Sequence, residues 1–234
     1  MSTELTDIAE SLPAAALLDR VLGEQPRRAC ITCSFQAEDM IVLHMLHKRL
    51  PEIPVLFLDT GYHFRDTYAY RDRMAAAWNL KLINVMPSMT VSAQERAFGI
   101  LHQTDPGRCC HLRKVEPLAA ALKDFELWFT GLRREQSPTR RNLKKIEQHR
   151  LPDGSTLAKV NLLADWSSAQ VWDYMGDNAI ESLPLYAQGY TSIGCEPCTA
   201  IAVNAADPRS GRWGGQKLEC GIHTFSERAD GCEY

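Results

Sequence analysis

The chain has 234 residues, of which 45% are hydrophobic and 24% are charged, ordinary values for a globular protein. Its net charge of −3 argues against a general nucleic-acid-binding protein, and no stretch approaches the roughly 20 apolar residues of a membrane span. The first residues carry no basic-then-apolar signal pattern, so we expect a cytoplasmic protein that binds neither nucleic acid nor membrane.

The predicted elements alternate between helix and strand over most of the chain. Residues 1–24 are predicted to form a helical lead-in, because leucine and valine recur at helical spacing. The alternation that follows predicts an α/β fold with a mostly parallel, twisted sheet and helices on both faces. Strands are predicted at 29–35, 54–60, 80–87 and 126–132, and helices at 40–50, 65–79, 91–103 and 110–123.

The last part of the chain changes character. A hairpin is predicted at 145–162, with the Asp-Gly pair at 153–154 as its turn, and a serine-capped helix at 167–179. From about Asp207 the chain is rich in glycine and arginine, which predicts a mobile tail without a core of its own. The sequence is thus divided into a lead-in, an α/β domain and a tail, at 1–24, 25–206 and 207–234.

The turn after the first predicted strand, "SFQAED" from Ser34 to Asp39, lies where a doubly wound sheet binds ligands. Backbone N–H groups at the start of the next helix form an anion site there. The turn matches neither glycine-rich nucleotide fingerprint, and Glu38 and Asp39 argue against an anion unless nearby cations outweigh them. Taken alone, the turn is equally compatible with a plain loop capped by Ser34.

Basic residues occur in three separate stretches. Any one of them is most often a solvated surface charge. If the three stretches meet at one sheet edge, they form a pocket for a phosphate- or sulfate-bearing ligand. The residues are Arg133, Arg134 and Arg140 after the strand at 126–132, Arg113 and Lys114 in the helix at 110–123, and Arg209 and Arg212 in the tail.

Two cysteine pairs suggest metal ligands. Eight cysteines are many for a cytosolic protein, in which structural disulfides are rare. Cys109 and Cys110, together with Cys195 and Cys198, could supply four thiolates to zinc or to an iron–sulfur cluster. The side chains of adjacent cysteines diverge, which a large cubane tolerates better than one tetrahedral zinc. The alternative is that both pairs pack as small buried hydrophobes.

A third pair, Cys30 and Cys33, is predicted to have a packing role only. Both residues belong to the first predicted strand, "ACITCSF". Because side chains alternate along a strand, these two point to opposite faces of the sheet and cannot share a ligand.

The segment "ECGIH" carries a candidate nucleophile, Cys220. It lies in a polar, glycine-rich region, with Lys217 three residues before it and His223 three residues after it. A neighbouring cation raises the thiolate fraction of a cysteine and hence its reactivity. An unreactive tail thiol explains the local sequence equally well, and Cys232 is either a bystander or a second thiol that pairs with Cys220.

Seven short motifs occur along the chain in the same order as in one known protein family. The chain resembles the assimilatory adenylylsulfate (APS) reductases of the thioredoxin-dependent sulfonucleotide reductase family. The resemblance covers roughly residues 28–223 and implies an adenine nucleotide alpha hydrolase-like fold with a modified pyrophosphatase loop. The motifs are "CSFQAED", "LDTGYHF", "CCHLRKVEPL", "GLRREQSPTR", "GYTSIGCEPCT", "GRWGG" and "ECGIH".

The resemblance also implies roles for individual residues. Cys220 is implied as the catalytic nucleophile on a flexible C-terminal segment. One 4Fe–4S cluster is implied, with Cys109, Cys110, Cys195 and Cys198 as its ligands. Substrate-binding roles are implied for Ser34, Gly131 and Arg140 toward the nucleotide, with Arg141 a neighbouring alternative to Arg140, and for Lys114, Arg209 and Arg212 toward the phosphosulfate.

The implied activity is the reduction of APS to sulfite and AMP in sulfate assimilation and cysteine biosynthesis. Cys220 would form an enzyme S-sulfocysteine, and a reduced thioredoxin or a similar dithiol protein would then release sulfite. No thioredoxin-like domain follows in the sequence, so the reductant is expected to be a separate protein. The sequence leaves the oligomeric state open, including a homo-oligomer.

Three other functions are compatible with parts of the sequence. The first is reduction of 3′-phosphoadenylylsulfate (PAPS), alone or together with APS; enzymes that prefer PAPS generally lack the two cysteine pairs. The second is an ATP pyrophosphatase such as a tRNA thiolase, but "SFQAED" lacks the lysine and both glycines of that loop. The third is a metal-stabilised binding module in which Cys220 has no role.

Overall fold

The computed structural model describes residues 3–23, 28–204 and 207–223, and their strands form one six-stranded sheet. The strands are β1 (Ala29–Thr32), β2 (Pro54–Leu58), β3 (Lys81–Val85), β4 (Leu127–Thr130), β5 (Ile146–Arg150) and β6 (Thr156–Asn161). Their order is β3-β2-β1-β4-β6-β5, and only β5 runs antiparallel to its neighbour. This order confirms the predicted mostly parallel sheet, and the β5–β6 pair confirms the hairpin.

Helices connect the parallel strands. None of the helices in the described ranges has the length and apolar character that crossing a bilayer requires. A π-helical turn at His111–Val115 separates two of the helices. The helices are α1 (Thr3–Ile8), α2 (Ala14–Gly23), α3 (Ala37–His47), α4 (Arg65–Ala77), α5 (Val91–Phe98), α6 (Leu101–Thr104), α7 (Pro106–Cys110), α8 (Glu116–Leu122) and α9 (Ser168–Asp177).

Apolar side chains pack on both faces of the sheet. Ile31 and Phe57 lie in a large cluster with side chains of α2, α3, α4 and α9. Their chain neighbours Cys30 and Leu56 lie in a second cluster with side chains of α8, because successive residues of a strand face opposite ways. Cys30 and Cys33 fall in different clusters and are both buried, which confirms that they pack on opposite faces.

The lead-in is part of the large cluster. It forms two helices rather than one, because Pro13 cannot continue a helix and the preceding Leu12 is extended, with ψ 136°. The buried Lys145 donates from Nζ to the carbonyls of Glu10 (3.3 Å) and Leu12 (2.7 Å). The predicted domain boundaries, after residues 24 and 206, lie outside the described residues.

The region predicted as a helix at 91–103 is broken. It divides into α5 and α6 at Gly99, whose φ of 74° is a left-handed conformation that glycine adopts easily. The helix predicted at 110–123 is likewise divided between the end of α7, the π-helical turn and α8. The turn carries the side chain of Lys114 toward the end of the sheet where a cavity opens.

Candidate active site

The cavity opens at the carboxyl ends of β1 and β4. β1 has β2 on one side and β4 on the other, so the connections that leave β1 and β4 diverge and leave a crevice between them. The cavity has a volume of about 500 Å³. All seven residues predicted from the sequence to bind substrate or react with it line this cavity: Ser34, Lys114, Gly131, Arg140, Arg209, Arg212 and Cys220.

The loop after β1 is held by Asp39. Its carboxylate accepts hydrogen bonds from the backbone N–H (2.7 Å) and the hydroxyl (2.6 Å) of Ser34, and from the N–H of Gly131 (3.1 Å). Burial raises the pKa of Asp39 to about 6. A side chain at position 131 would place its Cβ 2.4 Å from the Asp39 Oδ1, so the close approach of β4 to α3 requires glycine there.

Phe35 supplies the turn that glycine supplies in other nucleotide-binding loops. Its φ is 61°, in the left-handed region, which costs a non-glycine residue about 1–2 kcal/mol. The ring is fully buried and packs edge-on against Phe57 (5.9 Å) and Tyr70 (6.4 Å). Burying an aromatic ring gains an amount similar to the backbone cost, so the loop keeps its shape without glycine.

Glu38 does not oppose an anion in the cavity. Its carboxylate accepts two hydrogen bonds from the guanidinium of Arg133, at 3.0 and 2.9 Å. Arg133 also donates to the carbonyl of Trp166 and to the hydroxyl of Ser168. Both acidic residues of "SFQAED" are therefore held by internal partners, Glu38 by the charge of Arg133 and Asp39 by hydrogen bonds from Ser34 and Gly131.

All three basic stretches contribute to the cavity, but not every member does. Lys114, Arg133, Arg140, Arg209 and Arg212 line it. The other two arginines bind the backbone elsewhere: Arg113 donates to the carbonyls of Thr60 and Met89, and Arg134 to that of Leu143. Arg140 reaches the cavity, whereas its neighbour Arg141 is exposed and bonds to the carbonyl of Pro138.

Lys114 and Arg212 form no ion pair with a carboxylate among the described residues, although both are buried. Burial alone would lower the pKa of Lys114, but the nearby sulfurs of Cys195, Cys220 and Cys110 outweigh it and raise the pKa above its ordinary value. The Nε of Arg212 is buried and finds no hydrogen-bond partner in the described part of the chain. Such unpaired donors fit an anionic ligand.

The two cysteine pairs meet behind this cavity. Cys109, Cys110, Cys195 and Cys198 line a second, smaller cavity, and Lys114 lines both. Burial, and then the proximity of the other sulfurs, raises the pKa of both Cys109 and Cys198 to about 11. Within the described ranges, no group of three or more histidine, cysteine or acidic side chains is arranged to hold a metal ion. Four thiols lining one small cavity are nevertheless the type of donor that iron–sulfur clusters use.

The first part of the tail is docked against the domain. Glu219 bonds to Arg140, and Ile222 packs on the second apolar cluster. His223 stacks on Trp128, with ring centroids 5.5 Å apart. Cys220 lies between these contacts and lines the cavity. Residues 207–223 therefore pack on the core of the domain, while the mobility predicted for the tail stays a prediction; Cys232 lies outside the described residues.

We expect docking of the tail to weaken in acid because of His223. Burial, and then the positive charges of Lys159 and Arg140, lowers the pKa of His223 well below 6.5. An imidazole released from Trp128 takes up a proton below pH 6.5, so the docked state loses up to about 1.4 kcal/mol of stability at about pH 5.5. Denaturant unfolding of wild type and His223→Phe at several pH values measures this loss, because phenylalanine stacks but does not titrate. An equal pH dependence in both proteins would contradict the prediction.

One comparison with known proteins decides the family. The family model for the phosphoadenosine phosphosulfate reductase domain matches residues 28–201. The chain belongs to this family. The match contains β1 to β6, the loop after β1 and both cysteine pairs, and it ends before the tail that carries Cys220.

Individual members of the family are similar over most of their length. An adenosine 5'-phosphosulfate reductase of Mycolicibacterium smegmatis is 44% identical over 188 residues, 80% of this chain and 78% of that protein. The one of Mycobacterium tuberculosis (strain H37Rv) is 41% identical over 207 residues, 86% and 80%. The crystal structure of a phosphoadenylyl-sulfate reductase from Candida auris, a phosphate complex, superposes with a TM-score of 0.73 at 27% identity, covering 86% of this chain and 98% of that one.

Sequence reasoning assigned no role to two residues that organise this reductase-family site. In the sequence, Asp39 indicates only a charge that opposes an anion, whereas in the structure it ties the loop to β4 through Gly131. In the sequence, Glu219 is only one member of the motif "ECGIH", whereas in the structure it binds Arg140 in the cavity. A carboxylate next to the candidate nucleophile Cys220 was the available signal for Glu219. Nothing local in the sequence indicated which way Asp39 turns.

Proposed function

We propose that the protein reduces APS to sulfite and AMP. The observation that carries this proposal is the placement of the Cys220 thiol on the same cavity as the unpaired cations Lys114 and Arg212. Relatives 40–44% identical that are named adenosine 5'-phosphosulfate reductase support APS as the substrate. The modified loop after β1 and the crevice between β1 and β4 suit the adenosine part, which a parallel sheet binds at this edge.

The first step transfers the sulfonyl group to the protein. The Cys220 thiolate attacks the sulfur of APS, a sulfur–sulfur bond forms, and the bond from sulfur to the bridging oxygen breaks. The electron pair of that bond leaves with AMP, and an S-sulfocysteine remains at Cys220. Nucleophile and sulfate are both anionic, so Lys114, Arg209 and Arg212 offset their repulsion as they approach.

The second step needs a dithiol reductant, and we propose reduced thioredoxin or a similar protein. One of its thiolates attacks the Cys220 sulfur, sulfite leaves with the electron pair, and a mixed disulfide forms. The second thiol of the reductant resolves that disulfide, so two electrons come from the dithiol and Cys220 returns as a thiol. This chemistry suits a compartment that keeps thiols reduced, such as the cytoplasm.

Cys109, Cys110, Cys195 and Cys198 would hold one 4Fe–4S cluster. When bound, the group would supply a fixed charge distribution close to Lys114, and the thiol chemistry above balances without electrons from it. Lys114 lies in the π-helical turn and borders both cavities. Its ammonium group is therefore on the cavity that the Cys220 sulfur also lines.

Use of APS rather than PAPS is tested by comparing sulfite release from the two. We expect kcat/KM for APS to exceed that for PAPS by at least about tenfold, a modest difference in transition-state binding. The similarity to a PAPS reductase from Candida auris keeps PAPS as the alternative. Exclusive use of PAPS would replace APS as the substrate, and release of sulfite from neither would reject the function.

A further inference from the structure

Glu219 lies among the cations of the cavity and directly precedes the nucleophile. Its carboxylate accepts from Arg140 Nε at 2.9 Å and Nη2 at 2.7 Å, and Arg209 Nη2 is 3.6 Å away. Thr139 donates its hydroxyl at 2.9 Å. The Glu219 side chain is 15% exposed and that of Arg140 12%, so solvent screens this pair less than a surface ion pair.

The Glu219 carboxylate offsets the repulsion between the guanidinium groups of Arg140 and Arg209. Burial, and then the charge of Arg140, lowers the pKa of Arg209 to about 10. Burial would raise the pKa of Glu219, but hydrogen bonds from Arg140 and the charges of both arginines hold it below its ordinary value. Glu219 is therefore ionised at neutral pH and keeps two neighbouring guanidinium groups together.

The tail has contacts on both sides of Cys220. On one side, Arg209 holds the Leu218 carbonyl at 2.8 Å and Arg140 holds Glu219. On the other side, the tail turns at Gly221, whose φ is 97°, and His223 stacks on Trp128. The nucleophile thus lies on a short segment fixed at both ends, and the ionic end is Glu219.

We propose that Glu219 is a positioning residue: its clasp with Arg140 and Arg209 fixes the tail so that the Cys220 sulfur lies at the unpaired cations Lys114 and Arg212. The clasp does not touch the reacting atoms. It sets the distance and direction of the thiolate relative to the sulfur that it attacks, and an error of about 1 Å in such placement costs roughly a hundredfold in rate. The rate effect rests on the proposed function, whereas the fixation of the tail does not.

The test uses Glu219→Gln in the full, anaerobically purified protein, because glutamine keeps the shape and removes the charge. Single-turnover formation of the sulfonated Cys220 peptide is expected to fall roughly 10- to 100-fold. The affinity for AMP, measured by calorimetry, is expected to stay within about threefold. Glu219→Asp keeps the charge on a shorter side chain and is expected to recover part of the rate.

A second measurement requires no sulfonucleotide. Iodoacetamide labels Cys220, and trypsin releases it in residues 218–228, a peptide without Cys232. The labelling rate on its high-pH plateau is expected to rise at least about threefold in Glu219→Gln, because the tail opens more often. Glu126→Gln is the matched control. Glu126 is half exposed, and its ion pair with Arg28 is long, at 3.7 Å, so its loss should leave the tail unchanged.

The results distinguish failure of the positioning role from failure of the proposed function. An unchanged rate of adduct formation, an unchanged labelling rate, or AMP affinity that falls as much as the rate would each overturn the positioning role. If wild type forms no sulfonated Cys220, the proposed function fails, and the labelling rates alone then decide whether the clasp fixes the tail.

Discussion

Replacing Cys220 with serine is expected to reduce sulfite release by at least about a thousandfold, because a serine hydroxyl is not ionised near pH 7 and is a far weaker nucleophile than a thiolate. The side chain lines the cavity but makes none of the ion pairs that hold the tail, so the change leaves the cations in place. AMP binding is therefore expected to stay within about threefold of wild type. Sulfite assays and calorimetry measure the two effects.

Cys232→Ser is the control, since it removes the other cysteine of the C-terminal region, to which the proposed mechanism gives no role. Its sulfite release is expected to match that of wild type. Sulfite release from Cys220→Ser at the wild-type rate would leave the nucleophile unassigned. Loss of AMP binding together with activity would show that Cys220 supports the pocket instead.

Removal of one cysteine behind the cavity is expected to have the second large effect. Cys195→Ser should lose iron, inorganic sulfide and visible absorbance, and sulfite release should fall at least about a hundredfold. The physical reason is the position of Lys114, which borders both cavities and whose pKa, lowered by burial, is raised by the nearby sulfurs of Cys195, Cys220 and Cys110. Without the ordered sulfurs, the ammonium loses the surroundings that hold it beside the nucleophile.

Cys30→Ala is the matched control for this prediction. Cys30 is fully buried in the second apolar cluster, away from both cavities, so the variant should keep its iron and colour. Iron and sulfide analysis of anaerobically purified wild type gives the reference. Wild-type protein that is active while colourless and free of iron would remove all four ligand assignments at once.

Much of the fold follows from local patterns in the sequence. The alternation of apolar runs and helices predicted the parallel sheet, and the Asp-Gly pair at 153–154 predicted the hairpin of β5 and β6. Of the three basic stretches, only the one that follows β4 could be placed at this edge of the sheet from the sequence; the other two, in the π-helical turn and the tail, reach it through contacts between distant residues. These features depend on residues close in the chain and on rules of connection, so one sequence suffices.

The features that the sequence did not reveal depend on contacts between distant residues. Glu219 and Arg140 are 79 positions apart, and Asp39 and Gly131 are 92 apart. Neither contact leaves a periodic pattern in the sequence. Pro13 marks the division of the helical lead-in locally, but the contact of Lys145 with that lead-in is again long-range. The sequence shows that these charged side chains are present, but it does not show which partner each of them binds.

The most direct measurement of the central claim is the mass of the tail peptide during turnover. Protein mixed with APS without a reductant should carry one SO₃ group on residues 218–228, the tryptic peptide that contains Cys220. A reduced dithiol protein should then remove that group and release an equal amount of sulfite. Sulfite formed with no SO₃ on this peptide at any time, or with SO₃ on another cysteine, would contradict the account.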